Sequence, residues 1–123
     1  MAFCAMPCMP SKNSAQRLQD ILDNIDAIAE FTAHMDLSAF VADRKTVYAV
    51  LRALEIVSEA SRRLPAELRE RHGEIDWAAV AGAGNVYRHE YDAVDEMLIW
   101  HTVREGLGAL RGMATAELGQ LKA

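Results

Sequence analysis

Along most of this chain the apolar side chains recur every three or four positions, and no run of four or more β-branched and aromatic residues alternates with polar ones. That spacing restricts the chain to helices. Over residues 14–35, Leu18, Ile21, Leu22, Ile25, Ile28 and Met35 share one face of an amphipathic helix, while Asp20, Asp23, Asp26 and Glu30 mostly take the other. Ser14 or Asn13 can cap its first turn, and a short loop over residues 36–40 is expected to follow.

A second helix is predicted to begin near Ala42 or Asp43 and to run to Leu64, with Val47, Val50, Leu51, Leu54 and Val57 as its apolar stripe. Pro65 stops it and can serve as the first residue of a brief helical turn, PAELRERH, that ends before Gly73. Asp76 is placed to cap a further short segment carrying Trp77, Val80 and Ala81. Gly82 and Gly84 then offer a break at which a helix can restart from about Asn85. A last long helix is expected over residues 95–118, with Leu98, Ile99, Trp100, Val103, Leu107 and Leu110 on its apolar side. Gly106, Gly108 and Gly112 weaken it by about 1 kcal/mol each relative to alanine, or let a neighbouring helix approach closely.

These elements predict an all-α fold, a small up-and-down bundle of four to five helices. The 123 residues are enough to bury one core and too few for two. One domain over residues 14–118 is expected behind a flexible N-terminal tail, residues 1–13, in which Met9 could also serve as the start.

Charge and cysteine usage then narrow the function. A formal charge of -5 argues against coating nucleic acid or an anionic membrane by bulk electrostatics, although it leaves room for a local basic site. No apolar run approaches the ~20 residues needed to span a bilayer, and MAFCAMPCMPSKN lacks a basic end followed by a hydrophobic stretch. The expected location is therefore the cytoplasm. Cys4 and Cys8 both lie in the tail, which excludes a disulfide framework from the core, and two thiolates do not complete a zinc site. Neither a metal nor a cofactor is expected.

Chemistry concentrates in GAGNVYRHEY, residues 82–91. Of the four histidines, His34 and His72 read as residues closing helical segments and His101 as a helix flank. Only His89 stands among cooperating polar groups, with Asn85, Tyr87, Arg88 and Tyr91 within four residues of it. On a helix Asn85 and His89, four apart, share a face, and Arg88 and Tyr91 form an adjoining one. An imidazole can take a proton from a hydroxyl and return it elsewhere, while Asn or Arg holds a phosphate oxygen. That is the minimum equipment for cutting RNA, whose own 2′-hydroxyl is the nucleophile. On residue chemistry alone, a hydrogen-bond network that joins two helices is the favoured reading of the same cluster.

FVADRKTVYAVLRALEIVSEASRRLP (40–65), ELRERHGEIDWAAVAGAGNVYRHEYDAVD (67–95) and IWHTVREGLGAL (99–110), together with RLQDILDNIDAI (17–28), resemble the HepT-like toxins of the HEPN superfamily. That resemblance implies a HEPN-like helical homodimer that cleaves RNA without metal in a cleft between its two copies. It also implies a toxin–antitoxin pair whose antitoxin is an MNT-type nucleotidyltransferase. His89 and Tyr91 occupy the His-x-Tyr positions of the family motif, His89 as acid/base residue and Tyr91 as the site of AMP addition by the antitoxin; Asn85 takes the polar position and would contact phosphate. The sequence departs from the motif at Gly84, where the family has arginine. Arg88 and the mid-helix Arg52 are the candidates to replace that cation, and Arg52 can also be read as a surface residue paired with Glu55. If neither replaces it, the resemblance implies a catalytically degenerate protein that binds or scaffolds its nucleotidyltransferase partner.

Overall fold

The computed structural model describes residues 10–89 and 96–122. Their regular structure is entirely helical: α1 (Pro10–Phe31), α2 (Leu37–Ala42), α3 (Arg44–Arg62), α4 (Ala66–Glu70), α5 (Trp77–His89), α6 (Glu96–His101), a π-helical turn (Thr102–Gly106) and α7 (Gly108–Lys122). The all-α expectation holds. α1 packs along α3 and α7, and α3 packs along α5, so that Leu18, Ile21, Ile28, Val50, Leu54, Val57, Leu110 and Ala114 enclose one core. Burying each of the large aliphatic side chains removes it from water at a gain of about 1.5–3 kcal/mol, which outweighs the modest propensity of these sequences to form isolated helices.

The boundaries depart from the periodicity where local backbone chemistry intervenes. α1 starts at Pro10, ahead of Ser14, and stops at Phe31, four residues before Met35. His34 adopts φ 64°, the left-handed conformation that reverses the chain, while Thr32 Oγ1 and N both return to the Ile28 carbonyl (2.8 and 3.0 Å). The expected loop at residues 36–40 is replaced by α2. Asp36 Oδ1 accepts from the Ala39 amide (2.8 Å) to start it, and Phe40 at its far side is fully buried against Trp100. Six residues are too few for an apolar period to show.

α3 begins where the sequence indicates, with Asp43 accepting from the Thr46 amide (3.2 Å) and hydroxyl (2.8 Å). Those two bonds hold the Asp43 carboxyl below the usual carboxylate range. Its last helical residue is Arg62, and Pro65, with φ −60° and ψ 146°, is the N-cap of α4 instead of its first helical residue.

The single last helix expected over residues 95–118 is interrupted. Thr102 Oγ1 donates back to the Leu98 carbonyl (3.0 Å), the backbone widens into the π turn, and Gly106 and Leu107 end it before α7 starts. A Cβ at Gly106 would lie 3.4 Å from Thr102 Cγ2, whereas at Gly108 or Gly112 it would meet nothing within 4 Å. Close helix approach is therefore not what Gly108 and Gly112 provide. Among the described residues no helix is long and apolar enough to cross a membrane, and no group of three or more His, Cys, Asp or Glu could hold a metal ion.

Candidate functional site

α5 is fixed at its start and along its inner face. Asp76 Oδ1 accepts from the Ala79 amide (3.1 Å), and Trp77 Nε1 donates to the Arg69 and His72 carbonyls (3.0 and 3.1 Å), tying α5 to the end of α4. The Ser58 hydroxyl donates to the Val80 carbonyl (2.8 Å) and lies 3.2 Å from that of Ala81. Ser58 sits near the end of α3 and Val80 near the start of α5, so the extended contact between the two helices requires them to run antiparallel.

From that anchor α5 runs without interruption to His89. The break expected at Gly82 and Gly84 is absent, because glycine lowers helix stability without preventing helix formation and the contact with α3 carries the segment across. Gly82 is not required by crowding either, since a Cβ there would meet nothing within 4 Å. Asn85, Arg88 and His89 thus lie on one continuous helix, with positions 85 and 89 one turn apart and position 88 roughly 100° around from 89. Tyr91, and the side-chain contacts of Asn85, Arg88 and His89, lie outside the described residues.

Arg52 is located and separated from this cluster. It leaves α3 roughly 120° around the helix from Ser58, away from α5, and Nη1 pairs with Glu55 Oε2 at 3.3 Å with 71% of the side chain exposed. Its neighbours Arg17, Asp20, Glu59 and Arg63 line the groove between α1 and α3, where each arginine has a carboxylate partner. Within one chain the reading of Arg52 as a paired surface residue is the one that fits.

The other histidines divide differently from expectation. His101 is exposed beside Glu105 (3.5 Å), as a flank residue should be. His34 makes the turn after α1 and lines a shallow groove of about 230 Å³ with Arg104 and Val103. His72 is not a surface end-cap: it is 18% exposed, and its Nε2 lies 2.7 Å from Glu117 Oε2 on α7. Arg71 donates to the same carboxylate through Nη2 (2.7 Å) and Nε (3.3 Å). The Arg71 hydrogen bonds, opposed by burial and aided by His72, hold the Glu117 carboxyl below its ordinary range.

This network joins α4 to α7 and was missed by sequence reasoning. The available signal was Glu117 itself, a carboxylate among Met113, Ala114 and Leu118 on a buried face, which implies a cationic partner. Because the folded pKa is depressed, the stabilisation is present above the unfolded value near 4.5 and is lost as pH falls through the lower folded value. Glu117→Gln is expected to lower stability by about 1–3 kcal/mol at pH 7 and to flatten the acid side of the stability profile below pH ~4.5, measured by urea denaturation across pH. A variant as stable as wild type at pH 7 would show that the network contributes no net stability.

The described residues form an all-helical domain, and comparison with known proteins supplies its family. Residues 21–116 match the family described as Ribonuclease HepT-like, and the chain belongs to that family. It is 40% identical over 95 residues to "Probable ribonuclease HepT" of Thermococcus cleftensis, covering 77% of this chain and 86% of that protein. It is 35% identical over 94 residues to "Putative RNase MJ1380" of Methanocaldococcus jannaschii (76% and 86% covered) and 35% identical over 86 residues to "Putative RNase TTE0752" of Caldanaerobacter subterraneus (70% and 77% covered). No solved structure matches the chain.

Proposed function

We propose that the chain is a metal-independent endoribonuclease and the toxin of a toxin–antitoxin pair, acting in the cytoplasm as a homodimer with its sites at the interface between copies. The observation that carries this reading is the placement of Asn85 and His89 one turn apart on a continuous α5, in a chain of the HepT-like ribonuclease family. Exposed Met97 and Leu98 on α6, the helix that follows the site segment, are apolar surface of the kind a second copy would cover.

His89 takes the proton of the substrate 2′-hydroxyl, whose oxygen attacks the adjacent phosphorus. The P–O5′ bond breaks, the His89 imidazolium returns its proton to the departing 5′-oxygen, and a 2′,3′-cyclic phosphate remains. Asn85 holds a non-bridging phosphate oxygen, and Arg88, contributed from either copy, supplies the cation that Gly84 cannot. AMP added to Tyr91 by an MNT-type nucleotidyltransferase antitoxin would fill the cleft with bulk and negative charge. The test is cleavage of single-stranded RNA by the purified protein in EDTA between about pH 6 and 9, a range that brackets the ordinary imidazole pKa. A nuclease-free preparation with no activity across that range would overturn the reading.

Gly84 favours a second reading, in which the fold is retained as a catalytically inactive binding partner of the nucleotidyltransferase. Gly84→Arg separates the two. Restoring a cation one residue before Asn85 is expected to raise kcat by about tenfold or more if the wild-type chain lacks one. If the rate stays at the wild-type value, Arg88 already supplies the charge, and Arg88→Ala then removes activity. Appearance of cleavage only in Gly84→Arg assigns the wild-type chain to the inactive class.

A further inference from the structure

We infer that the outward face of α3, carried by Lys45, Tyr48 and Arg52, is a binding surface for single-stranded RNA that is separate from the candidate site on α5; the choice of RNA as ligand rests on the ribonuclease reading. The helical register puts the three side chains together. Their directions around the α3 axis fall within roughly 60° of one another and lie opposite Val50, Leu54 and Val57, which the core buries. All three are exposed, Tyr48 by 63% and the Arg52 side chain by 71%. Ser58, which marks the direction of α5, leaves α3 roughly 80° around from Tyr48 and 120° from Arg52, so the face points away from that helix.

Charge is spread unevenly along the chain, and α3 is where its positive part collects. Residues 44–63 hold five of the 13 Lys and Arg but two of the 18 Asp and Glu, so a segment of net charge +3 stands in a chain of -5. The first half of α3 is the more basic, since Arg44, Lys45 and Arg52 all precede its first carboxylate, Glu55. Asp43, just before the helix, is engaged by the Thr46 amide and hydroxyl. Arg52 pairs with Glu55 at 3.3 Å, but an exposed pair three residues apart is weak, and a phosphate can take the guanidinium at little cost. Arg52 also lines the groove between α1 and α3 together with Arg17 and Arg63, which continues the row of guanidinium groups along the helix.

A polyanion complements such a face, and Tyr48 distinguishes which one. A single strand has unpaired bases: one stacks on the exposed ring while the phosphates on either side meet Lys45 and Arg52, which leave α3 roughly 10 Å apart along its axis. An acidic polypeptide would match the charge and leave the ring unused. In a chain of net negative charge, affinity for RNA has to come from a local surface of this kind.

The experiment uses the full-length protein and a fluorescein-labelled single-stranded oligoribonucleotide with methylated 2′-hydroxyls, so that anisotropy reads binding without cleavage; an unmodified strand reads kcat and KM. Tyr48→Ala is expected to raise Kd about 5- to 100-fold, and KM with it, while kcat stays at the wild-type value, and Tyr48→Phe to restore both. Lys45→Ala and Arg52→Ala each weaken binding and lower the slope of log affinity against log salt by about 0.7, one phosphate of a single strand. Glu55→Gln, which releases Arg52 and removes a carboxylate, tightens binding. Arg104→Ala, on the π turn, leaves Kd as in wild type. Unchanged Kd in Tyr48→Ala overturns the inference, as does a loss in Arg104→Ala equal to that in Lys45→Ala, which would make the effect one of diffuse charge. Displacement of the strand by poly-L-glutamate at equal charge also overturns it, by assigning the face to acidic polypeptides. A Tyr48→Ala protein that falls from dimer to monomer mass in light scattering assigns the face to the contact between copies, with the same consequence. If the wild-type chain binds the strand through Tyr48 and cleaves nothing, the ribonuclease reading fails and the surface stands; if it binds no strand, the surface fails.

Discussion

His89→Ala is expected to lower EDTA-resistant cleavage of single-stranded RNA by about 10²–10⁴-fold while leaving the fold intact. The magnitude follows from the step that the imidazole performs. Without a positioned base the 2′-hydroxyl must lose its proton to water at a pH far below its own pKa, and the cation and phosphate contacts that remain cannot supply that transfer. Folding should be indifferent to the change, because alanine is the better helix former. Far-ultraviolet circular dichroism and the urea midpoint of the variant should therefore match wild type. A variant that cleaves at the wild-type rate would remove His89 from the mechanism and leave α5 with a purely structural role.

How much of this was legible in the sequence depends on what kind of physics set each feature. The stripes from Leu18 to Ile28 and from Val47 to Val57 are long enough for a 3.6-residue period to be read, and those side chains are the ones that the core buries. The caps at Asp43 and Asp76 were readable because a short acidic side chain before an apolar run has one favoured hydrogen bond, to the amide three residues on. What the sequence concealed was decided by contacts distant along the chain. α2 exists because Phe40 reaches Trp100, sixty residues away in sequence order, and a six-residue helix displays no period by itself. The Arg71–Glu117–His72 network likewise joins groups 45 and 46 residues apart.

At the candidate site the sequence was specific about residue types and wrong about local form. Gly82 and Gly84 read as punctuation, yet α5 passes through both, because antiparallel packing on α3 compensates two weak helix formers. The consequence for mechanism is a fixed spacing. On one continuous helix, Asn85 and His89 stand one turn apart, with Gly84 immediately before Asn85.

Phe40→Ala should produce the largest loss of stability in the molecule, about 3–5 kcal/mol by urea denaturation. Phe40 is 0% exposed, its ring centroid lies 5.2 Å from that of Trp100 at a tilt of 38°, and it is the buried side chain of a helix that touches both α3 and α6. Truncation removes the ring from the core and leaves a void that α2, only six residues long and fixed by Asp36 and Asp43 at its two ends, cannot collapse to fill. A domain of this length has a total stability of roughly 6–18 kcal/mol, so the variant should lose a large fraction of it. Phe40→Leu keeps most of the volume and should cost less than half as much. In a Trp77→Phe background, Trp100 fluorescence provides a local probe of the Phe40 contact, whereas circular dichroism reports all of the helices. Coincident shifts of both signals to lower urea would show that α2 and α6 unfold with the bundle. If the Trp100 signal alone moved, the α2–α6 contact would be a local unit, and the helix that leads out of the site segment could open without loss of the core.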